Sequence, residues 1–197
     1  FGERIVIAGG LVLTTLTVVG AWLAAGDPVL LGLAFLAGGM TSASTNAASG
    51  RVVVGWFPKE RRGLAMGIRQ MSQPLGVTLA AVTVPQLAEG SGIRAALVLP
   101  IVLCAVLAVC CAIGITDPPR PARATVATTA TANPYRSSGF LWRVHAVSVL
   151  LVVPQFTLST YGLVWLVGLG WSTPAAGLLV GAAQFVGAIG RILVGGW

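Results

Sequence analysis

The sequence predicts an all-α integral membrane protein with six transmembrane helices, on three observations. Of 197 residues, 56% are hydrophobic and only 9% are charged, against roughly 25% charged in soluble domains; the mean hydropathy is +0.90. The apolar residues gather into runs of about 20 or more, the length a helix needs to cross the hydrocarbon core. The basic residues fall mostly in alternate gaps between those runs, the pattern of loops that share one side of a membrane. The net charge of +7 is therefore read as topological. The dispersal of the twelve Lys and Arg residues speaks against nucleic acid as a partner and leaves the lipid bilayer.

The spans are expected at residues 5–25, 28–55, 64–87, 93–115, 140–169 and 174–197. Phe1-Gly2-Glu3-Arg4 leads straight into the first, which is longer than the apolar core of a signal peptide. The second opens on Asp27-Pro28, where the carboxylate can accept from free amides and Pro suits the first helical position. Thr173-Pro174 repeats that start at the sixth. Residues 117–138, rich in Pro, Arg, Ala and Thr, are too polar to cross and read as a flexible linker. Lys59, Arg61 and Arg62 share one side with Arg120, Arg123 and Arg136, while Asp27, Glu89 and Arg94 lie on the other. By the positive-inside rule the basic loops are cytoplasmic, and so are both ends of the chain. With no initiator Met and an end within a Gly- and Arg-bearing segment, the chain reads as a piece of a larger cell-membrane protein.

Six spans, a linker after the fourth, and Trp56-Phe57-Pro58-Lys59-Glu60-Arg61-Arg62-Gly63-Leu64-Ala65-Met66-Gly67 in a basic loop together resemble the major facilitator superfamily (MFS). There the loop between helices four and five carries a Pro, charged residues, Arg-Gly, a small residue and Gly, matched here by Pro58, Arg62, Gly63, Ala65 and Gly67. Phe1 to Arg4 is similar to the tail of the family's signature loop after helix two, and Gly190-Arg191 to Trp197 to the approach to its copy after helix eight. The resemblance implies part of a twelve-helix fold, covering family helices three to eight: a partial N-terminal bundle of four spans (1–116), a cytoplasmic linker (117–138) and a partial C-terminal bundle of two spans (139–197). Gln73-Pro74-Leu75-Gly76-Val77 departs from the Gly-Pro-x-x-Gly-Gly of drug-proton antiporters.

The implied function is secondary active transport of a small solute, a permease working by alternating access, with a coupling proton or ion as a further partner. The alternatives are a drug/proton efflux antiporter of the same fold and, in another class, a non-transporting membrane receptor or sensor. An enzyme is not expected, because one His and five scattered acidic residues supply no catalytic cluster. Neither a cofactor nor a metal is expected; Cys104, Cys110 and Cys111 lack His or acidic neighbours and read as small packing residues.

In such transporters the substrate site lies near the midplane. At about 1.5 Å per residue, Gln73, Gln155 and Gln184 all reach that depth, on spans that the resemblance makes helices five, seven and eight. Each either faces the cavity or bonds a neighbouring helix. Arg69, shallower on the third span, either holds an anionic substrate through paired hydrogen bonds or snorkels and braces the inner gate; its depth favours the structural role. Asn46 is a further cavity candidate within a span rich in small hydroxyl residues. Arg51 is expected at the cytoplasmic gate, pairing with a signature aspartate outside the chain, and Arg4 and Arg191 are read similarly. His145 is taken as a satisfied polar residue near the foot of the fifth span. The basic lining hinted at by Arg69, with no carboxylate inside a span, leans towards a neutral or anionic metabolite.

Overall fold

The computed structural model describes residues 2–119 and 139–196. It contains α1 (Glu3–Leu23), α2 (Pro28–Trp56), a 3₁₀ turn (Lys59–Arg61), α3 (Arg62–Gln70), α4 (Ser72–Gly114), α5 (Phe140–Gly168) and α6 (Thr173–Gly195). Five helical stretches are long and apolar enough to cross a membrane, with residues 59–114 counted as one of them. Most of the expected linker, residues 120–138, and the terminal Trp197 lie outside the described residues.

The helix ends follow local chemistry. Asp27 Oδ1 accepts from the amides of Val29 (2.8 Å) and Leu30 (3.2 Å), which satisfies two of the four free donors of α2. α6 departs from the expectation of a Thr173 cap: Ser172 occupies the cap position, makes no side-chain cap bond, and Pro174 follows inside the first turn. α5 stops at Gly168, with Leu169 at the cap position and Gly170 just beyond it at φ +90°. The Gly170 amide donates to the Val167 carbonyl (3.0 Å) and that of Trp171 to Leu166 (3.1 Å), a glycine-terminated helix end that satisfies two last-turn carbonyls. The first turn of α1 is capped from far away, where Asp117 Oδ1 accepts from the Arg4 amide at 2.7 Å. Gly2 at the cap position has no side chain to do this, and a Cβ there would collide with the Asp117 carboxylate.

α4 holds 43 residues, about 65 Å of helix, over twice the ~30 Å hydrocarbon thickness. Gly92 interrupts it with φ 80° and ψ 171°, a backbone region essentially reserved for glycine. Contacts on the two sides of Gly92 run in opposite directions. Before it, Thr78 and Ala81 lie against Gly181 and Gly177 of α6. After it, Arg94 sits 5.7 Å over the Trp22 ring at the end of α1, and the segment finishes beside the start of α1 at Asp117 and beside the end of α2, where Trp56 Nε1 donates to the Thr116 carbonyl at 3.0 Å.

The interior is made of small residues. Most of the buried apolar side chains among the described residues are alanines, while Leu, Phe, Trp and Val point outward in large numbers. This inverts the soluble pattern, as expected where lipid tails are as apolar as leucine and helices associate through close backbone approach.

The tightest approach joins α3 and the first half of α4 to α6. A Cβ on Gly63 would lie 2.7 Å from the Gly195 carbonyl oxygen and one on Gly67 2.6 Å from that of Arg191, while one on Gly177 would meet the Ala81 carbonyl. Each step forward on one helix is matched by a step back on the other, so the two run antiparallel in fixed register. Thr78 Oγ1 reinforces it, donating to the Gly181 carbonyl at 3.0 Å.

Candidate functional site

Between these helices lies a cavity of about 1120 Å³, lined by residues from every long helix. The periodicity of each helix explains its share. On α2 the lining residues are Ser42, Thr45, Asn46 and Ser49, spaced three and four apart and therefore on one face. α5 presents Val152, Gln155 and Phe156, and α6 presents Gly187, Gly190, Arg191 and Val194, by the same spacing. α1 adds Leu11 and Thr14, and Cys104 enters from the second half of α4. The hydroxyl-rich stretch of α2 thus does two jobs. Thr41 and Thr14 bond each other across the α1–α2 contact at 3.2 Å, while Ser42, Thr45, Asn46 and Ser49 supply polar groups to the cavity.

Arg69 is held from α2. Its Nη1 donates to Asn46 Oδ1 at 2.8 Å, Ser49 Oγ at 3.0 Å and the Asn46 carbonyl at 3.3 Å. Its Nε is enclosed and has no hydrogen-bond partner. The guanidinium is therefore turned towards a neighbouring helix and the cavity wall instead of extended towards the basic loop.

Arg191 reaches across from α6, and the sequence explains why. Pro74 has no amide hydrogen, so the Gln70 carbonyl four residues earlier loses its helical partner. Arg191 Nη1 donates to that carbonyl at 2.9 Å. The bond lies on an exposed face, so its net contribution is that of an ordinary hydrogen bond, about 0.5–1.5 kcal/mol. A helix defect in one half of the structure is thus repaired by a side chain from the other.

Asn46, Arg69, Gln73, Gln155 and Arg191 all line the cavity. Gln184 does not; it is half-buried on α6, level with Pro74 in the antiparallel register. Arg4 and Arg51 stand apart from the cavity at the basic end. Arg51 Nε forms an ion pair with Glu3 at 3.4 Å, a partner within the chain where the resemblance implied an aspartate beyond it. Arg4 is fixed through its amide, by Asp117. Sequence reasoning passed over Ser49 and Gln70. The spacing of Ser42, Thr45, Asn46 and Ser49 could have revealed the first, and the unmet carbonyl created by Pro74 the second. Among the described lining residues none is acidic.

The family model of the Major Facilitator Superfamily matches residues 1–197. Two Mycobacterium tuberculosis proteins, named uncharacterized MFS-type transporters MT3072 (strain CDC 1551 / Oshkosh) and Rv2994 (strain ATCC 25618 / H37Rv), are each 47% identical over 199 aligned positions. The match takes in 100% of this chain and 44% of each relative, so the chain spans less than half the length of those proteins. No solved structure matches. A match over the whole chain, together with long apolar helices around a shared polar cavity, makes this chain a member of the Major Facilitator Superfamily.

Proposed function

We propose that the chain forms the cavity-bearing part of a secondary transporter that moves a small solute by alternating access, corresponding to family helices three to eight of a twelve-helix fold. One observation carries this reading: a single cavity draws polar side chains from helices on both sides of the glycine-packed contact, with Arg69 and Gln73 on one side and Gln155 and Arg191 on the other. A site shared by two bodies is what rocking motion about a midplane site requires. In this reading Asn46, Arg69, Gln73 and Gln155 belong to the substrate pathway. Arg191 braces the cytoplasmic side of the contact, and Arg4 and Arg51 stay with the inner gate.

Six spans follow if the chain turns back at Gly92, a reading supported by the opposed contacts on its two sides. The basic loop is then cytoplasmic and Gly92 faces outward. The lean towards a neutral or anionic solute, over the cationic substrates of many efflux antiporters, rests on the absence of acidic residues among the described cavity lining.

The test is flux. Full-length protein in proteoliposomes should accumulate or exchange a solute, and Gln155→Leu should slow that exchange without unfolding the protein. Absence of flux for a broad panel of labelled anions, neutral metabolites and cations, from protein that melts cooperatively, would refute transport.

A further inference from the structure

Arg69 is oriented in a way that its hydrogen bonds make specific. A guanidinium has five N–H donors in a planar fork. Three acceptors from α2 converge on Nη1 alone. Neither Nε nor Nη2 has an acceptor among the described residues, and Nε is enclosed by the surrounding protein. Simple snorkelling would leave the donors of this cation in water. Here Nη1 is clamped, Nε is enclosed and Nη2 is left unmet.

The surroundings narrow what could meet Nη2. The cavity holds a second guanidinium, Arg191, anchored through the carbonyl of Gln70, the residue that follows Arg69. The other polar lining consists of hydroxyls and amides, from Thr14, Ser42, Thr45, Gln73 and Gln155 among others, with no carboxylate among the described residues. Two cations without an acid repel a cationic solute, and a neutral solute leaves both charges without a counter-charge. A carboxylate or a phosphate supplies the missing negative charge together with acceptor oxygens. The volume of about 1120 Å³ is slightly larger than typical small-molecule sites, roughly 300–1,000 Å³, and so has room for a small organic anion.

Resting on the transport reading above, we propose that the cavity takes a small organic anion whose carboxylate or phosphate is bound by the Arg69 guanidinium through its free Nη2, with Arg191 as the second cation. Asn46 and Ser49 are positioning residues: by occupying Nη1 they fix where Nη2 points. Lysine in place of Arg69 would keep the charge and lose this clamp.

Binding is measured separately from flux. Full-length protein in phosphatidylcholine nanodiscs is titrated with succinate, benzoate and inorganic phosphate, with the neutral succinamide and benzamide, and with tetraphenylphosphonium, following the melting temperature. At least one anion should raise it saturably while its amide counterpart does not. Arg69→Gln and Arg69→Lys should each weaken that anion about tenfold or more, and Arg94→Gln, at the far end beside Trp22, should leave it unchanged. Protein that melts cooperatively without ligand establishes that each variant is folded. Asn46→Ala, which keeps the guanidinium and loosens its aim, should weaken the anion by a smaller factor. Four results overturn the proposal: no anion bound, amides bound as well as acids, binding only of the phosphonium, or Arg69→Gln binding like the wild type. An anionic lipid headgroup carries the same chemistry. Protection that needs phosphatidylglycerol in the nanodisc and ignores soluble anions would assign the fork to lipid and also overturn the proposal. Saturable anion binding with no flux leaves the site standing and removes transport; flux of a neutral solute with no anion binding does the reverse.

Discussion

Replacing Gly67 with alanine adds one methyl group at the closest part of the α3–α6 contact. The new Cβ would lie 2.6 Å from the Arg191 carbonyl oxygen, whereas ordinary contact begins near 3.4 Å, so the helices must part by about 0.8 Å. Neither side has a rotamer to yield, because the obstacle is backbone. If the separation is carried along the contact, the bond from Arg191 to Gln70, now 2.9 Å, stretches to about 3.7 Å, beyond hydrogen-bonding range. Overpacking costs about 1–3 kcal/mol and the lost bond about 1 kcal/mol more, giving roughly 2–4 kcal/mol. The assay is equilibrium unfolding of the full-length protein in mixed micelles, with Gly76→Ala as the control. Gly76 has nothing within 4 Å of an added Cβ and should gain up to about 1 kcal/mol from helix propensity. Equal stability for the two variants would refute the claim that the contact is closed by backbone.

Other expectations follow from the same geometry. Arg191→Ala should cost more in the wild type than beside Pro74→Ala, where the Gln70 carbonyl regains a helical donor; a double-mutant cycle in the same unfolding assay should give a coupling of at least about 0.5 kcal/mol. Gly92→Ala forces a side chain into a glycine-only backbone region and should destabilise by about 1–3 kcal/mol, read as a lower melting temperature. Asp117→Ala removes the long-range cap on α1 and should cost about 0.5–2 kcal/mol, a loss that Asp117→Asn should largely avoid. In a cysteine-free background, Ser91→Cys should react with an impermeant maleimide added outside intact cells, and Lys59→Cys only after the membrane is opened; the reverse labelling pattern would overturn the proposed orientation.

Legibility followed the range of the interactions. The long helices and the Asp27 cap depend on hydropathy and local hydrogen bonding, both readable along a single stretch. Arg69 was identifiable as a polar intrusion into an apolar run, but its clamp is not local: Asn46 and Ser49 lie 23 and 20 residues earlier, and only the packing of α2 on α3 brings them close. For the same reason Arg51 found Glu3 and the Arg4 amide found Asp117 without any local signal. Gln184 shows the limit of counting by depth. A residue counted to the middle of a span still has a helix face to choose, and the packing of α6 on α4 decides that face. Pro74 lies between the two cases: the missing donor is written in the sequence, while the identity of the group that replaces it is not.

An interior built from alanine and glycine changes how the chain responds to mutation. In a soluble core the informative change is truncation, because each buried leucine or phenylalanine that shrinks leaves a hole. Here Ala21, Ala48, Ala176 and Ala188 are fully enclosed and have almost nothing to lose. An alanine scan would pass silently through the parts that hold the bundle together and report mainly on lipid-facing bulk. A scan that enlarges residues, one methyl or isopropyl at a time, would instead trace the helix contacts directly. Inherited variation should follow the same rule: the substitutions least tolerated at these positions are those that add atoms.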